Sequence, residues 1–346
     1  MSIINGLRGK ECPENGNGLR RALDTFPQAQ GYLKIYLPDG HLYRANGEPI
    51  GAGEEIWRNT GLPYGNLGCG ERGYVLHIPQ SQLEEAGYPV DSDLKEVLMA
   101  IMRPQQIPEA VRIEGFGVSG KDWIIEKLQM PLDTIRNGSR TEEELDAVFR
   151  AQLREYDISS RGSLRYRPSH LAMQFPAQYN ILEYNQVREL ANYLNGRDVL
   201  QQRSRGFEIA SEFEYMTERI MESLGMRRIT QDEKNRRRPR NNDYALTVTD
   251  GKTETFAAAR LTDGIVDISE TGNSLKRNGL IAIYPSILRS TPYAIYKDST
   301  MEVFPEFMDR LLDRLSQGVE IVNREHPELF EDKLDPSVYG RAVPAE

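Results

Sequence analysis

LTDGIVDISETGNSLKRNGL, residues Leu261 to Leu280, carries an apolar run, a small polar turn and a helix start in direct succession. Gly264 to Ile268 is a short apolar run rich in β-branched residues and reads as a buried strand. It ends in a small polar turn, Ser269-Glu270-Thr271-Gly272-Asn273-Ser274, and a helix begins at Leu275. A strand that passes through such a turn into a helix offers successive backbone N–H groups and short hydroxyls where partial positive charge suits a phosphate. Gly272 permits close backbone approach, and Thr271 and Ser274 can donate from their hydroxyls. Asp267, at the strand's end, is placed to accept bonds from ribose hydroxyls. Taken alone, the same residues also describe an ordinary strand-to-helix turn with an N-cap.

Working outward, apolar runs bounded by Gly, Pro or Asp alternate with stretches of helical period, which predicts an α/β protein. Strands are expected at 32–37, 74–78, 97–102, 170–175, 207–211, 264–268 and 280–284. Phe304, Phe307, Met308, Leu311, Leu312, Leu315, Val319 and Val322 recur at helical spacing and give a helix over 303–322 one apolar face. Between 131 and 167 the chain changes character: Asn137-Gly138-Ser139, a charged amphipathic helix opened by a Thr141/Glu144 capping box, then SSRGS, together reading as a helical insertion or arm. From Met226 to Asp243, seven Lys or Arg read as a mobile basic loop, and the residues after 326 as a surface tail.

The composition excludes several classes. The 346 residues are 39% hydrophobic and 27% charged, and 43 Lys+Arg against 52 Asp+Glu give a net charge of -9. An acidic chain is poorly suited to coating nucleic acid, and no apolar run approaches membrane-spanning length. Two cysteines, Cys12 and Cys69, make no disulfide framework, and the N-terminus has no secretory pattern, so the cytoplasm is the expected compartment. None of the four histidines has a partner at metal-ligand spacing. His77 and His170 read as packed core residues, while His41 falls in a loop that can face a substrate.

The motif around Asp267 extends beyond one turn, and with its neighbours the chain resembles the ATP phosphoribosyltransferases that open histidine biosynthesis. Asp263, Asp267, Thr271, Gly272, Ser274, Leu275, Asn278, Gly279 and Leu280 fill that family's phosphate-binding signature in order. Gly251-Lys252-Thr253-Glu254 resembles its Gly-x-x-Glu turn, and Phe207 to Ser211, followed by Tyr215 and Arg219, its Ile-Ala-Thr strand and the next helix. Arg103 with Ile107-Pro108, and the turn from Gly117 to Asp122, resemble segments of the opposite cleft wall. Leu33 to Leu42 resembles the opening strand and loop, but Asp39 and His41 stand where that loop is usually cationic, Ile101 where an arginine often precedes Arg103, and Glu208 where the strand often opens on a basic residue.

The resemblance implies a bilobal fold of the periplasmic-binding-protein-like type II class, two interleaved α/β lobes around a central cleft. Residues 1–30 would be an extension, 31–130 with 282–325 lobe I, 131–167 the arm, 168–281 lobe II, and 326–346 the tail. The implied reaction joins 5-phosphoribosyl 1-pyrophosphate to N1 of ATP or a related adenine nucleotide and releases pyrophosphate, with Mg2+ as cofactor. Under it, Thr271, Gly272, Asn273 and Ser274 would hold the donor's 5-phosphate, Asp267 the ribose hydroxyls, and Glu254 would lie near the ribose or the incoming base. Asp263, Ser211, Arg103, Lys121, His41 and Arg237 would line the site. The setting is histidine synthesis or, given the altered opening loop, a specialised purine-nucleoside pathway of the coformycin type. A homo-oligomer or a separate regulatory subunit is expected, since little chain remains for a regulatory domain. The competing class is a non-catalytic bilobal sensor that keeps the cleft.

Overall fold

A computed structural model describes residues 31–38, 52–62, 75–90, 93–132, 141–196, 206–236 and 239–339. Along the chain the strands are β1 (Tyr32–Pro38), β2 (Val75–Pro79), β3 (Glu96–Met102), β4 (Phe116–Gly120), β5 (Ile158–Ser163), β6 (Ser169–Pro176), β7 (Glu208–Ser211), β8 (Arg227–Arg228), β9 (Asp243–Val248), β10 (Gly264–Ser269), β11 (Leu280–Ala282), β12 (Leu288–Ser290) and β13 (Pro292–Lys297). They form two sheets, one per lobe. The first runs β2-β3-β1-β4-β13-β5 and the second β11-β6-β10-β7-β9-β8, with β12 also on β6.

In the first sheet β1, β3 and β4 are parallel, and β13, returning from the second lobe, inserts antiparallel between β4 and β5. In the second, β7, β8, β9 and β10 are parallel and β6, which enters from the first lobe, is antiparallel to β10. This is the expected interleaved, bilobal α/β architecture of the periplasmic-binding-protein-like type II class. The parallel strands are near-continuous apolar runs because helices cover both faces of each sheet: β3, EVLMAIM, is buried from Val97 to Met102. The helix Pro305–Glu325 lays Phe307, Met308, Leu311, Leu312 and Leu315 on the first lobe, as its spacing predicts.

The structure corrects the sequence reading in three places. First, the expected arm contributes β5 to the first sheet, where Ile158, Ser159, Ser160 and Ser163 pair with β13. The helix Glu142–Leu153 ahead of it has the capping box, with the Thr141 hydroxyl accepting from the Glu144 N–H at 3.3 Å, and it buries Phe149 and Leu153. SSRGS is too polar to read as a strand, and β13 supplies the pairing that propensity does not. Second, part of the basic run is held in place: it forms β8 and the helix Gln231–Arg236, Arg227 pairs with buried Asp243 at 2.9 Å, Arg228 with Glu214 and Glu218, and Lys234 with Glu208, while residues 237–238 lie outside the described residues. Acidic side chains elsewhere in the second lobe neutralise Arg227, Arg228 and Lys234. Third, residues 331–339 of the expected tail return to the second lobe and bury Val338 and Tyr339 there.

The lobes also meet away from the cleft. One apolar cluster runs from Ile107, Ile124 and Phe149 of the first to Phe207, Ile209 and Met216 of the second. The rings of Trp123 and Phe213 lie 4.5 Å apart, and the Glu126 carboxylate accepts the N–H groups of Tyr215 and Met216 at 2.8 and 3.0 Å. Those N–H groups open the helix Glu214–Ser223, so an acid of one lobe caps a helix of the other. Among the described residues no helix is long and apolar enough to cross a membrane. The 1–30 extension, Cys12, Cys69, His41 and Arg237 lie outside the described residues.

Candidate active site

In open α/β sheets ligands bind beyond the carboxyl ends of the strands. β7 ends at Ser211, β9 at Val248 and β10 at Ser269, so Glu212, Asp250 and the turn after Ser269 share one edge of the second sheet. β1 and β3 end at Pro38 and Met102, and Arg103 follows. Two ion pairs join these edges. Arg103 Nη1 donates to both carboxylate oxygens of Asp250 at 3.1 Å, and Arg167 grips Glu270 through Nε and Nη2 at 3.2 and 2.8 Å. The carboxyl edges of the two sheets therefore face each other across the cleft.

On the second-lobe side, Gly272 has φ +74°, a left-handed conformation that favours glycine, and stands at the N-cap of the short helix Asn273–Asn278. Thr271 Oγ1 accepts the Asn273 N–H at 3.3 Å, and the Ser274 hydroxyl donates to Glu254 Oε1 at 3.0 Å. Asp267 lies at the end of β10, where its carboxylate accepts the Ile268 N–H at 2.8 Å. Burial, reinforced by the charges of Glu212 and Glu254, pushes the Asp267 carboxyl up to about 7, and burial also raises Glu212. The fold thus brings Glu254, Asp267, Thr271, Gly272, Asn273 and Ser274 together, with Arg103 across the cleft.

Three expected contacts are turned elsewhere. Asp263 is buried at the other end of β10, accepting from the Glu208 N–H at 2.9 Å, so it ties β10 to β7. The Ser211 side chain is fully buried, its hydroxyl donating to the Val266 carbonyl at 2.8 Å and accepting from the Phe213 N–H at 2.9 Å. Lys121 is buried with its ammonium 5.1 Å from the Phe149 ring centroid, and desolvation pulls it down to about 8. Asp263 and Ser211 are short polar residues at element ends that satisfy the protein's own backbone, and Lys121 packs in the core, outcomes that spacing along the sequence does not distinguish from substrate binding.

Sequence reasoning missed Glu212, Asp250, Arg167 and Gln174. Gln174 is buried and donates to the Asp267 carbonyl at 3.1 Å, bracing the strand end. Asp250 could have been noticed as the residue opening the turn that leads to Glu254, but Arg167 carried no local signal. Arg167 and Arg165 have φ +47° and +60°, strained values for residues with a Cβ, and they flank buried Tyr166. Tyr166 and Arg167 line a cavity of about 200 Å3 with Leu37, Pro38, Glu54 and Trp57, on the first-lobe side of the cleft. Among the described residues no three His, Cys, Asp or Glu side chains are grouped to hold a metal ion.

The chain is thus a two-lobed α/β cleft protein in which a strand-to-helix turn with a left-handed glycine on one lobe faces Arg103 on the other. The family model described as HisG, ATP phosphoribosyltransferase, matches residues 103–317, more than half of the chain, and the chain belongs to that family. A solved chain of the ATP phosphoribosyltransferase HisG:HisZ complex from Thermotoga maritima is similar at 17% identity and TM-score 0.47, over 84% of this chain and 99% of that one. The structure of Tv2483 bound to L-arginine is similar at 10% identity and TM-score 0.41, over 91% and 93%. No curated protein matches the chain by sequence.

Proposed function

We propose that this protein transfers the phosphoribosyl group of 5-phosphoribosyl 1-pyrophosphate to N1 of ATP or a closely related adenine nucleotide. The observation that carries the reading is the turn Thr271–Ser274 placed beside Asp267 and Glu254 in a chain of the ATP phosphoribosyltransferase family. The N–H groups and hydroxyls of the turn receive the donor's 5-phosphate, and Asp267, ionised above pH 7, accepts the ribose hydroxyls. As the bond from C1′ to the pyrophosphate oxygen breaks, its electron pair leaves with pyrophosphate and positive charge grows on the sugar. Glu212, Glu254 and Asp267 surround that position with negative charge, which stabilises the oxocarbenium-like state. N1 supplies its own lone pair to the new bond, so no strong general base is needed, and the adduct sheds a proton from the 6-amino group.

Arg103, released from Asp250, is the cation for the leaving pyrophosphate or the acceptor's phosphates. The first-lobe cavity beside Trp57 and Tyr166 is the place for the acceptor's ring. The described residues do not form a resident metal site; Mg2+ enters with the donor's pyrophosphate as part of the substrate. The pathway is histidine synthesis in the first instance, and a specialised purine-nucleoside route is the variant that the altered opening loop favours. Pyrophosphate release from donor plus ATP, with ADP and AMP in parallel, tests the reading. Release with none of them refutes it and leaves the binding-module alternative.

A further inference from the structure

After the helix Pro305–Glu325 the chain crosses back to the second lobe and lies against the turn that the proposed function gives to the donor phosphate. The crossing is pinned where the Arg167 N–H donates to the Leu329 carbonyl at 2.8 Å. Asp332 then accepts from His170 Nε2 at 2.5 Å and faces Arg289 Nε at 3.6 Å. Asp335 makes three attachments: its N–H donates to the Thr271 carbonyl at 3.4 Å, its carboxylate pairs with Lys276 in the helix behind the turn, and Oδ1 accepts the Ser337 N–H at 2.8 Å. Next, Val338, 2% exposed, sits against Gly272 so closely that a Cβ added there would lie 2.5 Å from Val338 Cγ1 and 3.3 Å from Leu334 Cδ1. Tyr339 closes the run by bridging to Ala282 of β11, with its ring edge-on to Tyr284 at 5.2 Å.

These contacts converge on the left-handed glycine of the turn. Gly272 is both left-handed and the residue whose peptide fixes where the following N–H groups point, and what lies against its α-carbon is the apolar pair Leu334 and Val338. Thr271, on one side, is tied by its carbonyl to Asp335, and Lys276, on the other, by its ammonium to the same residue. One short segment therefore holds the turn before, at and after Gly272. The family match stops at residue 317, so none of this segment belongs to the matched region.

We propose that residues 331–339 form a positioning strap for the donor-phosphate turn, in which Leu334, Asp335 and Val338 fix the Gly272 peptide and so set where the turn's N–H groups and hydroxyls meet the donor's 5-phosphate. This inference rests on the proposed phosphoribosyl reading. It makes strap and donor reciprocally coupled: a strap that preorganises the turn for the donor is itself tightened when the donor binds. The acceptor, bound on the opposite lobe, does not sense it.

The test uses the full chain and the variants Val338→Ala, Asp335→Ala and Asp335→Asn. A displacement of the turn by a fraction of an ångström is expected to raise the donor KM and Kd about tenfold in Val338→Ala and Asp335→Ala, with kcat at saturating donor and the acceptor KM within about twofold. Asp335→Asn, which keeps an acceptor for the Ser337 N–H and loses the ion pair, falls between. In the wild type, hydrogen exchange of the 335–339 amides slows when 5-phosphoribosyl 1-pyrophosphate is added and not when ATP alone is added. Unchanged donor affinity in folded Val338→Ala and Asp335→Ala overturns the strap. So does a loss shared equally by donor, acceptor and melting temperature, which marks simple packing. A wild-type chain that binds no donor overturns the strap and the phosphoribosyl reading together, whereas failure of the variants alone leaves that reading standing.

Discussion

Replacing Asp267 with Asn is expected to weaken donor binding while making the protein more stable. An aspartate in the unfolded chain ionises near pH 4, whereas burial beside Glu212 and Glu254 holds Asp267 protonated up to about 7. Between those values the folded protein keeps a proton that the unfolded chain has released. Stability therefore declines as pH climbs from about 4 to about 7, and the penalty is complete above 7. At about 1.4 kcal/mol for each tenfold displacement of the ionisation equilibrium, the ceiling is about 4 kcal/mol. Because the carboxylate is only partly withdrawn from solvent, about 1–3 kcal/mol is the working figure. Asn keeps an oxygen for the Ile268 N–H and carries no charge at any pH. Its advantage should be near zero at or below pH 4, about a third developed at pH 5, and about 2–6 °C in melting temperature at pH 8. Donor affinity at pH 8 should fall about 10- to 100-fold, the worth of a charge-assisted bond to the ribose hydroxyls. Thermal melts across pH 4 to 8, paired with calorimetric titration of the donor, measure both. A stability difference that does not grow with pH would show that Asp267 is not held protonated by burial, and unaltered donor affinity at pH 8 that its charge does not meet the donor.

Other changes probe the rest of the cleft. Arg103→Ala should raise the KM of a polyphosphate substrate about tenfold or more, whereas Asp250→Ala, which frees Arg103 from an exposed pair, should lower it by a few-fold at most; steady-state kinetics in low and high salt separates the two. Gly272→Ala puts a Cβ against Val338 at a left-handed position and should destabilise the fold by about 1–3 kcal/mol, seen in denaturant melts, with donor binding lost as well. Lys121→Met should leave donor and acceptor constants within about twofold, because the ammonium lies in the core. Its ionisation is pulled down to about 8, so wild-type stability should rise as pH climbs from about 8 to about 10.5, and the variant should lack that rise.

The Thr271–Ser274 turn was legible because strand, turn and helix carry three different residue patterns in a row, and Gly272 and Asp267 fall at the junctions. The amphipathic helix at 305–325 was legible for the same reason, one periodic face against one sheet. What was not legible depends on pairing at long range. β5 is SSRGS and becomes a strand only because β13 returns from the other lobe to pair with it. Arg167 meets Glu270 across 103 residues and Arg103 meets Asp250 across 147. Asp263 and Ser211 fit a substrate-contact pattern in sequence, yet each sits where a buried backbone N–H needs an acceptor. A motif names the residues that share an edge of a sheet; it does not tell those whose side chains face the cleft from those that secure the edge.

Phosphoribosyl transfer is tested most directly by the mass of what forms when the protein is mixed with 5-phosphoribosyl 1-pyrophosphate, ATP and Mg2+. A single nucleotide adduct is expected, its mass equal to both substrates less pyrophosphate, with pyrophosphate released in equal amount; at subsaturating donor, Asp267→Asn forms the adduct far more slowly. No adduct with ATP, ADP or AMP, from a protein that nevertheless binds the donor, would contradict the transfer.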